Sequence, residues 1–328
     1  MRFGDFLGNS DLLATFTHLL QTNRFPHAIL LEGPAGCGKR YLARLLAAAL
    51  ICEGDAPPCL TCKRCGNVLG GGHPDVFYAE GGQSAKSFHV DVIRALRTDA
   101  FITAREAPCK VFILAGAETM TDQAQNALLK ILEEPPADVF IILTCQNAAS
   151  LLPTIRSRTA AFTLSGVQPE QVIPLLQTLY PQKTPEEIEV AAAASGGVIG
   201  QAKTLLEEGG ATETLELARQ IAEEITAQNE TGLITALASL DKKRELRAPV
   251  FNQLLFLLRD GVAAQNQSEN FLSVHPITAK LLAQTLTQQQ LSALYRVVED
   301  GLTSLNQNAN SPLLLTVLCA NMRTAAGR

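Results

Sequence analysis

Gly33-Pro34-Ala35-Gly36-Cys37-Gly38-Lys39-Arg40 is the run of sequence that decides the fold of this chain, and it follows the phosphate-loop pattern G-x-x-x-x-G-K-[ST] until its last residue. In a working phosphate loop, backbone N–H groups cradle the phosphates, the lysine reaches the β- and γ-phosphates, and the Ser or Thr hydroxyl binds Mg²⁺. Arg40 has no oxygen to offer a metal ion. The run therefore predicts a phosphate-loop fold that has lost part of its hydrolytic chemistry.

The segments around the loop support this fold. Residues 27–31 form an apolar run that predicts a buried strand before the loop, and the apolar spacing of residues 41–51 predicts a helix after it. Residues 111–114 and 139–144 predict two further buried strands. Apolar strands separated by helices indicate a parallel sheet that is covered on both faces. The expected class of the N-terminal part is therefore α/β.

The rest of the chain is predicted to be helical. With 328 residues, the chain exceeds the usual size of a single hydrophobic core. The strand signal stops near residue 166, and glycines and prolines then separate a short helical stretch from a longer one. We expect an α/β domain at 1–166, a small helical lid domain at 167–208 and an all-α domain at 209–328, with helix breaks near 265–276 and 306–312.

Composition limits the location and the partners. The net charge of −5 and the pI of about 5.6 mean that bulk charge does not draw the protein to nucleic acid, so any DNA contact must be local. The longest apolar run, near residues 42–52, contains Arg44 and is too short to span a bilayer. The first residues lack the pattern of a secretory signal. We therefore expect a cytoplasmic protein without membrane contact.

Four of the eight cysteines are close together in the sequence. Cys52, Cys59, Cys62 and Cys65 could close a tetrahedral shell, which predicts a structural Zn²⁺ site in a module at about 52–66. An iron–sulfur cluster is the alternative, but the segment is hydrophilic and would shield a cluster poorly. Cys37, Cys109, Cys145 and Cys319 are isolated and are interpreted as small buried hydrophobes. With four thiolates available, we interpret the nearby His73 as structural.

Several motifs together resemble one known family. The chain is similar to the clamp-loader subunits of the AAA+ class over about half its length, all of it in the N-terminal domain. The segments that carry the resemblance are His27-Ala28 with the phosphate loop, the inserted cysteines, His73-Pro74-Asp75, Val90-Asp91-Val92-Ile93-Arg94, Asn126-Ala127-Leu128-Leu129-Lys130-Ile131-Leu132-Glu133-Glu134-Pro135-Pro136 and Ile155-Arg156-Ser157-Arg158-Thr159. In the C-terminal half only the helical character is compatible.

The resemblance also shows what this chain lacks. Members that hydrolyse ATP carry an Asp-Glu pair after the second strand, where this sequence has Ala115-Gly116, and an arginine in the small domain, where it has Gly200. Together with Arg40, these departures predict no Mg²⁺-dependent hydrolysis. Whether ATP or ADP binds remains open, because a phosphate nest needs no metal to attract an anion. The candidate nucleotide-binding residues are Gly33, Gly36, Gly38, Lys39 and Arg40.

The resemblance assigns chemistry to another residue. Arg158 matches the arginine finger of the family motif Ser-Arg-Cys, with Thr159 in place of the Cys, and such a finger reaches a neighbouring subunit's ATP site. A planar, permanently charged guanidinium suits that task. The alternative interpretation is an ordinary surface arginine in a turn.

Residues 126–136 are interpreted mostly as packing and partly as interface. Lys86, Arg94, Arg97 and Arg105 are interpreted equally well as a basic face toward DNA or as scattered surface charge.

The implied function is that of a clamp-loader subunit of a replicative DNA polymerase holoenzyme, a DNA-directed DNA polymerase. Its implied partners are the ATPase motor subunits and the clamp-opening subunit in a hetero-pentamer, primed DNA through the assembled complex, and the sliding clamp mainly indirectly. The C-terminal helices would form a collar with those of the partners. We expect no intrinsic catalysis. The alternatives are an active AAA+ ATPase motor of the same loader, and a free-standing nucleotide-binding or helicase-loading protein.

Overall fold

The computed structural model describes residues 3, 6–81, 88, 90–227, 230–268, 271–306 and 311–327. The chain folds into two compact units, Met1–Gly166 and Val167–Arg328. The first unit contains all the strands of the described residues, and the second is helical.

A five-stranded parallel sheet forms the centre of the first unit, with the strand order β2-β3-β4-β1-β5. The expected parallel α/β class is therefore confirmed. β1 is an interior strand and pairs with β4 on one side and with the edge strand β5 on the other. The strands are β1 (Ala28–Glu32), β2 (Val76–Glu80), β3 (Lys110–Ala115), β4 (Val139–Cys145) and β5 (Ala160–Thr163).

Helices cover both faces of this sheet. Side chains alternate along β1, so Ile29 and Leu31 pack with the first two helices in one core, whereas Leu30 packs with the fourth and fifth in another. The helices are α1 (Ser10–Gln21), α2 (Lys39–Ile51), α3 (Lys63–Leu69), α4 (Val90–Ala100), α5 (Asp122–Glu133) and α6 (Pro153–Arg156), with 3₁₀ turns at Ala117–Thr119 and Ala148–Ser150.

Two strands were missed by the sequence analysis. β2 and β5 are short, and neither has a fully buried pattern, because each lies at an edge of the sheet. As a result, residues 111–114 belong to the third strand of the chain and not to the second. Ala115-Gly116 accordingly stands at the end of the third strand, which corrects the strand count on which the acidic-pair comparison was based.

The second unit consists of helices around two apolar cores. One core lies among the first three helices of this unit, and the other among the longer helices that follow. The helices are α7 (Pro169–Leu179), α8 (Pro185–Ala194), α9 (Ile199–Glu208), α10 (Ala211–Thr226), α11 (Glu230–Ser239), α12 (Arg244–Gln265), α13 (Pro276–Thr285), α14 (Gln288–Asn306) and α15 (Ser311–Ala325), with a 3₁₀ turn at Leu240–Lys242. Both predicted helix breaks lie between helices.

One buried side chain joins these two cores. The amide nitrogen of Gln253 on α12 donates to the carbonyl oxygens of Ala193 and Ala194 at the end of α8, at 3.1 and 2.7 Å. Residues 167–328 thus pack as one compact unit. A boundary at 208/209 stays a prediction. Within the described residues, no helix is both long enough and apolar enough to cross a membrane.

Candidate functional site

The phosphate loop leaves the carboxyl end of β1, where the parallel strands on either side also end. Its glycines have the backbone angles of such a loop, with φ of 157° at Gly33, 87° at Gly36 and 94° at Gly38. A Cβ at Gly33 would lie 2.4 Å from the carbonyl oxygen of Leu164, so only glycine fits there. The loop therefore keeps the shape that its sequence predicts.

The lysine of the loop is turned inward. Nζ of Lys39 donates to the carbonyl oxygens of Gly33 at 2.6 Å and Pro34 at 2.7 Å, and the residue is only 8% exposed. Burial lowers the pKa of Lys39 from its ordinary value, and the nearby Cys37 and Glu118 oppose that shift. The ammonium group thus satisfies the loop's own carbonyl groups.

The Arg40 side chain extends to the end of β2, an edge strand of the sheet. Its Nη1 lies 2.6 Å from Oε1 of Glu80 at the end of β2, and the hydroxyl of Tyr78 donates to Oε2 of Glu80 at 3.2 Å. The guanidinium of Arg44 lies over the Tyr78 ring, with Cζ 4.6 Å from the ring centroid. The residue that replaces the Mg²⁺-binding hydroxyl is therefore held by an internal ion pair.

An aromatic pair covers the start of α2. A Cβ at Gly38 would lie 3.1 Å from the ring of Phe6, and Phe6 stacks on Tyr41 with 6.3 Å between the ring centroids. The Phe6 ring thus packs directly on the last glycine of the loop. Sequence analysis did not predict this contact, since Phe6 belongs to no motif.

The acidic pair is absent at the carboxyl end of β3, where the sequence has Ala115 and Gly116. Ala115 is fully buried, and Gly116 has a φ of 78° and begins the 3₁₀ turn. Sequence analysis missed one acid beside this position, Glu118, which is close enough to Lys39 to oppose the lowering of the Lys39 pKa by burial. Oε1 of Glu118 accepts from the backbone N–H of Gln146 at 3.3 Å. A carboxylate is therefore present near the loop, but it is not part of an Asp-Glu pair.

Gly200, the second position that the resemblance marked, lies in the first turn of α9 in the helical unit. Its carbonyl oxygen accepts from the Thr204 hydroxyl at 3.1 Å, a bond within the helix. As glycine, it presents no side chain to a ligand.

The four predicted metal ligands do come together. The Sγ atoms of Cys52, Cys59, Cys62 and Cys65 all lie within 4.8 Å of one another. A zinc ion with bonds of about 2.3 Å needs sulfur atoms roughly 3.8 Å apart, and Sγ of Cys59 and Sγ of Cys65 lie 4.0 Å apart. The cluster therefore has the donors and nearly the spacing of a closed tetrahedral site.

Backbone groups prepare these sulfur atoms. N–H groups of Gly54 and Cys59 donate to Sγ of Cys52, that of Cys62 donates to Sγ of Cys59, and that of Cys65 donates to Sγ of Cys62, at 3.3 to 3.4 Å. Hydrogen bonds from the Thr61 hydroxyl and backbone lower the pKa of Cys59 to about 6. Burial raises the pKa of Cys65. Donated N–H bonds stabilise thiolates, the form that binds a metal.

The other thiols are unlike this cluster. Cys37, Cys109, Cys145 and Cys319 are buried and free, as predicted, and burial raises the pKa of Cys109 and of Cys145 to about 12. His73 is not in the cluster, and its Nδ1 accepts from the backbone N–H of Asp75 at 3.1 Å. These residues therefore lie outside the four-sulfur cluster, and their structural role stays a prediction.

Arg158 lies just after α6 at the rim of a shallow depression of about 600 Å³. Its Nη2 lies 2.8 Å from Oε1 of Glu133, and its Nη1 donates to the carbonyl oxygen of Thr154 and to Oγ of Ser157, both at 3.2 Å. The guanidinium is partly exposed and oriented by the chain itself. The residues that line the depression are Pro26, His27, Ala28, Leu132, Glu133, Ser157, Arg158, Thr159 and Ala160.

The predicted basic face is only partly within the described residues. Lys86 lies outside them. Arg94 is exposed on α4 and pairs with Asp91 at 3.3 Å. Arg97 lies on the same helix, and Arg105 is exposed in the loop before β3. A DNA-facing role for these residues stays a prediction.

Comparison with known proteins shows that this chain is similar to subunits of DNA polymerase III. A family model described as DNA polymerase III, delta subunit, matches residues 8–168. The chain is 41% identical over 175 residues to DNA polymerase III subunit delta' of Pseudomonas aeruginosa, covering 52% of this chain and 53% of that protein. It is 37% identical over 155 residues to subunit delta' of Bacillus subtilis, covering 47% and 46%.

Residues 8–168 match the family model of DNA polymerase III delta subunits and are similar to delta' subunits.

The clamp-loader match covers the sheet domain and its cysteine module. It spans about half the length of these curated relatives. The chain is also 35% identical over 185 residues to subunit gamma/tau of Mycobacterium bovis, covering 55% of this chain and 32% of that protein. The expected parallel α/β architecture with a phosphate loop is confirmed, and the DNA polymerase III resemblance holds for the N-terminal half of the chain.

Proposed function

We propose that this protein is a clamp-loader subunit of the DNA polymerase III holoenzyme that assists the loading of the sliding clamp during DNA replication without hydrolysing ATP itself. The family match and the similarity to delta' subunits support this proposal. One observation carries the non-hydrolysing part: both cations of the phosphate loop are engaged internally, Lys39 with loop carbonyls and Arg40 with Glu80.

A hydrolytic site needs oxygen ligands for Mg²⁺ and a carboxylate that acts on water. Ala115, Gly116 and Arg40 supply none of these oxygens. Glu118 is the nearby acid, and one of its oxygens already accepts a backbone hydrogen bond. Gly33, Gly36, Gly38, Lys39 and Arg40 would act mainly as a fixed structural turn, and binding of ATP or ADP would require Lys39 to exchange its carbonyl partners for phosphate.

The chemical contribution of this subunit would be Arg158. We propose that it acts in trans, as an arginine finger on the ATP of a neighbouring motor subunit. Its partial exposure beside a shallow depression and the hydrogen bonds of its Nη1 to Thr154 and Ser157, which orient the guanidinium, support this role. Delocalised positive charge placed beside the transferred phosphoryl group stabilises the charge that develops there.

Cys52, Cys59, Cys62 and Cys65 would hold a structural Zn²⁺. A full set of four thiolates leaves no open position, so the ion would stabilise the module and take no part in catalysis.

The helical unit would supply a lid at 167–208 and a collar at 209–328. Motor subunits and a clamp-opening subunit would be its partners in a cytoplasmic hetero-pentamer, with primed DNA bound by the assembly and the clamp contacted mainly indirectly.

The decisive experiment is the ATPase of a loader assembled with Arg158→Ala. We expect DNA-stimulated hydrolysis to fall by about 10³ to 10⁵ at the affected site, as for other fingers, while the variant folds and assembles normally. Arg158→Lys should assemble equally well yet remain slow, because the planar fork is lost. Unchanged hydrolysis in both variants would refute the finger.

The rival is an active motor subunit. Similarity to a gamma/tau subunit and the retained Lys39 favour it. The isolated chain distinguishes the two, because a motor would hydrolyse ATP and lose that activity with Lys39→Ala. We expect no hydrolysis above background in either form.

A further inference from the structure

The carboxyl end of α5 carries two acidic residues, and negative charge is unfavourable at that end of a helix. Glu133 is the last residue of α5 and Glu134 is its C-cap. The carboxyl end of a helix has partial negative charge, so carboxylates there are unfavourable and cations are preferred. A pair of acids at this position breaks a local rule, and such departures concentrate at functional sites.

Glu133 finds its cation in Arg158, the residue proposed as the finger. Oε1 of Glu133 lies 2.8 Å from Nη2 of Arg158. Nη1 is already bonded to Thr154 and Ser157, so Glu133 takes the remaining terminal nitrogen. Nε of Arg158 has no hydrogen bond among the described residues. The carboxylate therefore sits on the part of the guanidinium that an incoming phosphate would use.

The Glu133 carboxylate and a phosphate would compete for the same N–H donors of the Arg158 guanidinium. Both are anions that guanidinium binds through paired N–H donors. With Glu133 in place, the local charge is close to zero and the finger offers little to a phosphate. The pair is also weak, because the side chains of Arg158 and Glu133 are 36% and 47% exposed and water and salt screen them. A stronger anion in a drier interface can displace Glu133.

We propose that Glu133 is an autoinhibitory partner of Arg158, which it neutralises in the unassembled subunit and releases to the phosphate of a neighbour's ATP. This proposal rests on the proposed finger role of Arg158. Only molecules in which Arg158 is released from Glu133 can engage the neighbour's nucleotide. The apparent affinity for that nucleotide is therefore the intrinsic affinity multiplied by the released fraction. An exposed pair limits the effect to at most about fivefold, which corresponds to ~1 kcal/mol.

The test compares two neighbouring carboxylates in the assembled loader. Glu133→Gln removes the competing charge, and Glu134→Gln makes the same change one residue away, at a side chain that has no ion pair within the described part of the chain. At low salt we expect Glu133→Gln to lower the KM for ATP by about two- to fivefold with kcat nearly unchanged. Glu134→Gln should leave both constants at wild-type values. The difference between Glu133→Gln and wild type should shrink as salt is added.

The opposite results overturn the proposal. A lower kcat in Glu133→Gln would mean that the carboxylate supports the finger in the active state. An unchanged KM, or an equal change in Glu134→Gln, would mean that the pair has no specific competing role. The double variant Arg158→Ala/Glu133→Gln should behave like Arg158→Ala alone. If Arg158→Ala itself has no effect, the proposed finger fails and not only its regulation.

Discussion

Arg40 and Glu80 form an ion pair of 2.6 Å between the first turn of α2 and the end of β2. Arg40 occupies the position at which a phosphate-loop ATPase needs a hydroxyl for Mg²⁺. Glu80 comes from a strand at the far edge of the sheet from β5. A change at a single position of the loop has therefore been accommodated by a carboxylate distant in sequence.

Restoring the hydroxyl alone should not restore hydrolysis. In Arg40→Thr the loop matches the full pattern, but Ala115 and Gly116 still provide no carboxylate. We expect phosphate release from ATP to stay at background, measured with the isolated chain in saturating Mg²⁺. Glu80→Gln serves as a control that breaks the same ion pair without adding a hydroxyl. Hydrolysis by Arg40→Thr that is lost on further change of Lys39 would contradict this expectation.

Zinc should bind in a ratio of one per chain and depend on the four clustered thiols. Cys59→Ser should lose most of the zinc measured by elemental analysis, because three thiolates leave an incomplete shell. The control is Cys109→Ser, which alters an isolated, buried thiol and should retain the metal. Iron together with acid-labile sulfide in the purified protein would instead support the iron–sulfur alternative.

Asp75 should contribute to stability in a pH-dependent way. Its carboxylate is buried and accepts backbone N–H groups of Arg105, Glu106 and Ala107 at 2.7, 2.8 and 2.9 Å. Burial alone would raise the pKa of Asp75, but these donors outweigh it and hold the pKa below its ordinary value of 3.8. The stabilisation is therefore complete above pH 3.8 and is lost as the pH falls through the lower, folded-state pKa.

Asp75→Asn should lower the free energy of unfolding by about 1–3 kcal/mol at pH 7, measured by urea denaturation of the full chain. The deficit should shrink at pH values below the ordinary pKa. Asp91→Asn removes an exposed carboxylate and should change the free energy of unfolding by no more than about 0.5 kcal/mol. A deficit of Asp75→Asn that is constant from pH 7 down to acid unfolding would show that its charge is not the cause.

Gly33 should be intolerant of any side chain. Because of its positive φ and the nearby Leu164 carbonyl group, Gly33→Ala should cost about 1–3 kcal/mol in the free energy of unfolding. The matched control is Gly72→Ala, since an added Cβ there meets no atom within 4 Å. Equal thermal stability of the two variants would contradict the close approach between Gly33 and β5's end.

Much of the sheet domain could be predicted from the sequence because the signals are local. The central strands are continuous apolar runs, the glycine loop has a fixed spacing, and the cysteines lie within 14 residues of one another in sequence, from Cys52 to Cys65. The edge strands were missed because half-buried edges carry mixed polarity. This is also why Glu80 could not be assigned to Arg40.

The site partners were harder to predict than the site residues. Arg158 was marked by its motif, but its pairing with Glu133 depends on how the end of α5 meets the turn after α6. Phe6 and Glu118 carry no motif, and their positions near the loop follow from tertiary packing. Such contacts between distant segments are set by the whole fold and leave no periodic signal in the sequence.

Arg64 connects the cysteine module to the sheet. It lies on α3 between Cys62 and Cys65, donates to the carbonyl oxygen of Glu106 at 2.5 Å and pairs with Glu53 at 3.1 Å. Glu106 also donates its N–H to Asp75, just before β2. Oxidation of the clustered thiols to disulfides would shift α3 and strain this shared loop. The state of the surface thiols is thereby linked, through Arg64 and the Glu106 backbone, to the Asp75 carboxylate at the edge of the central sheet.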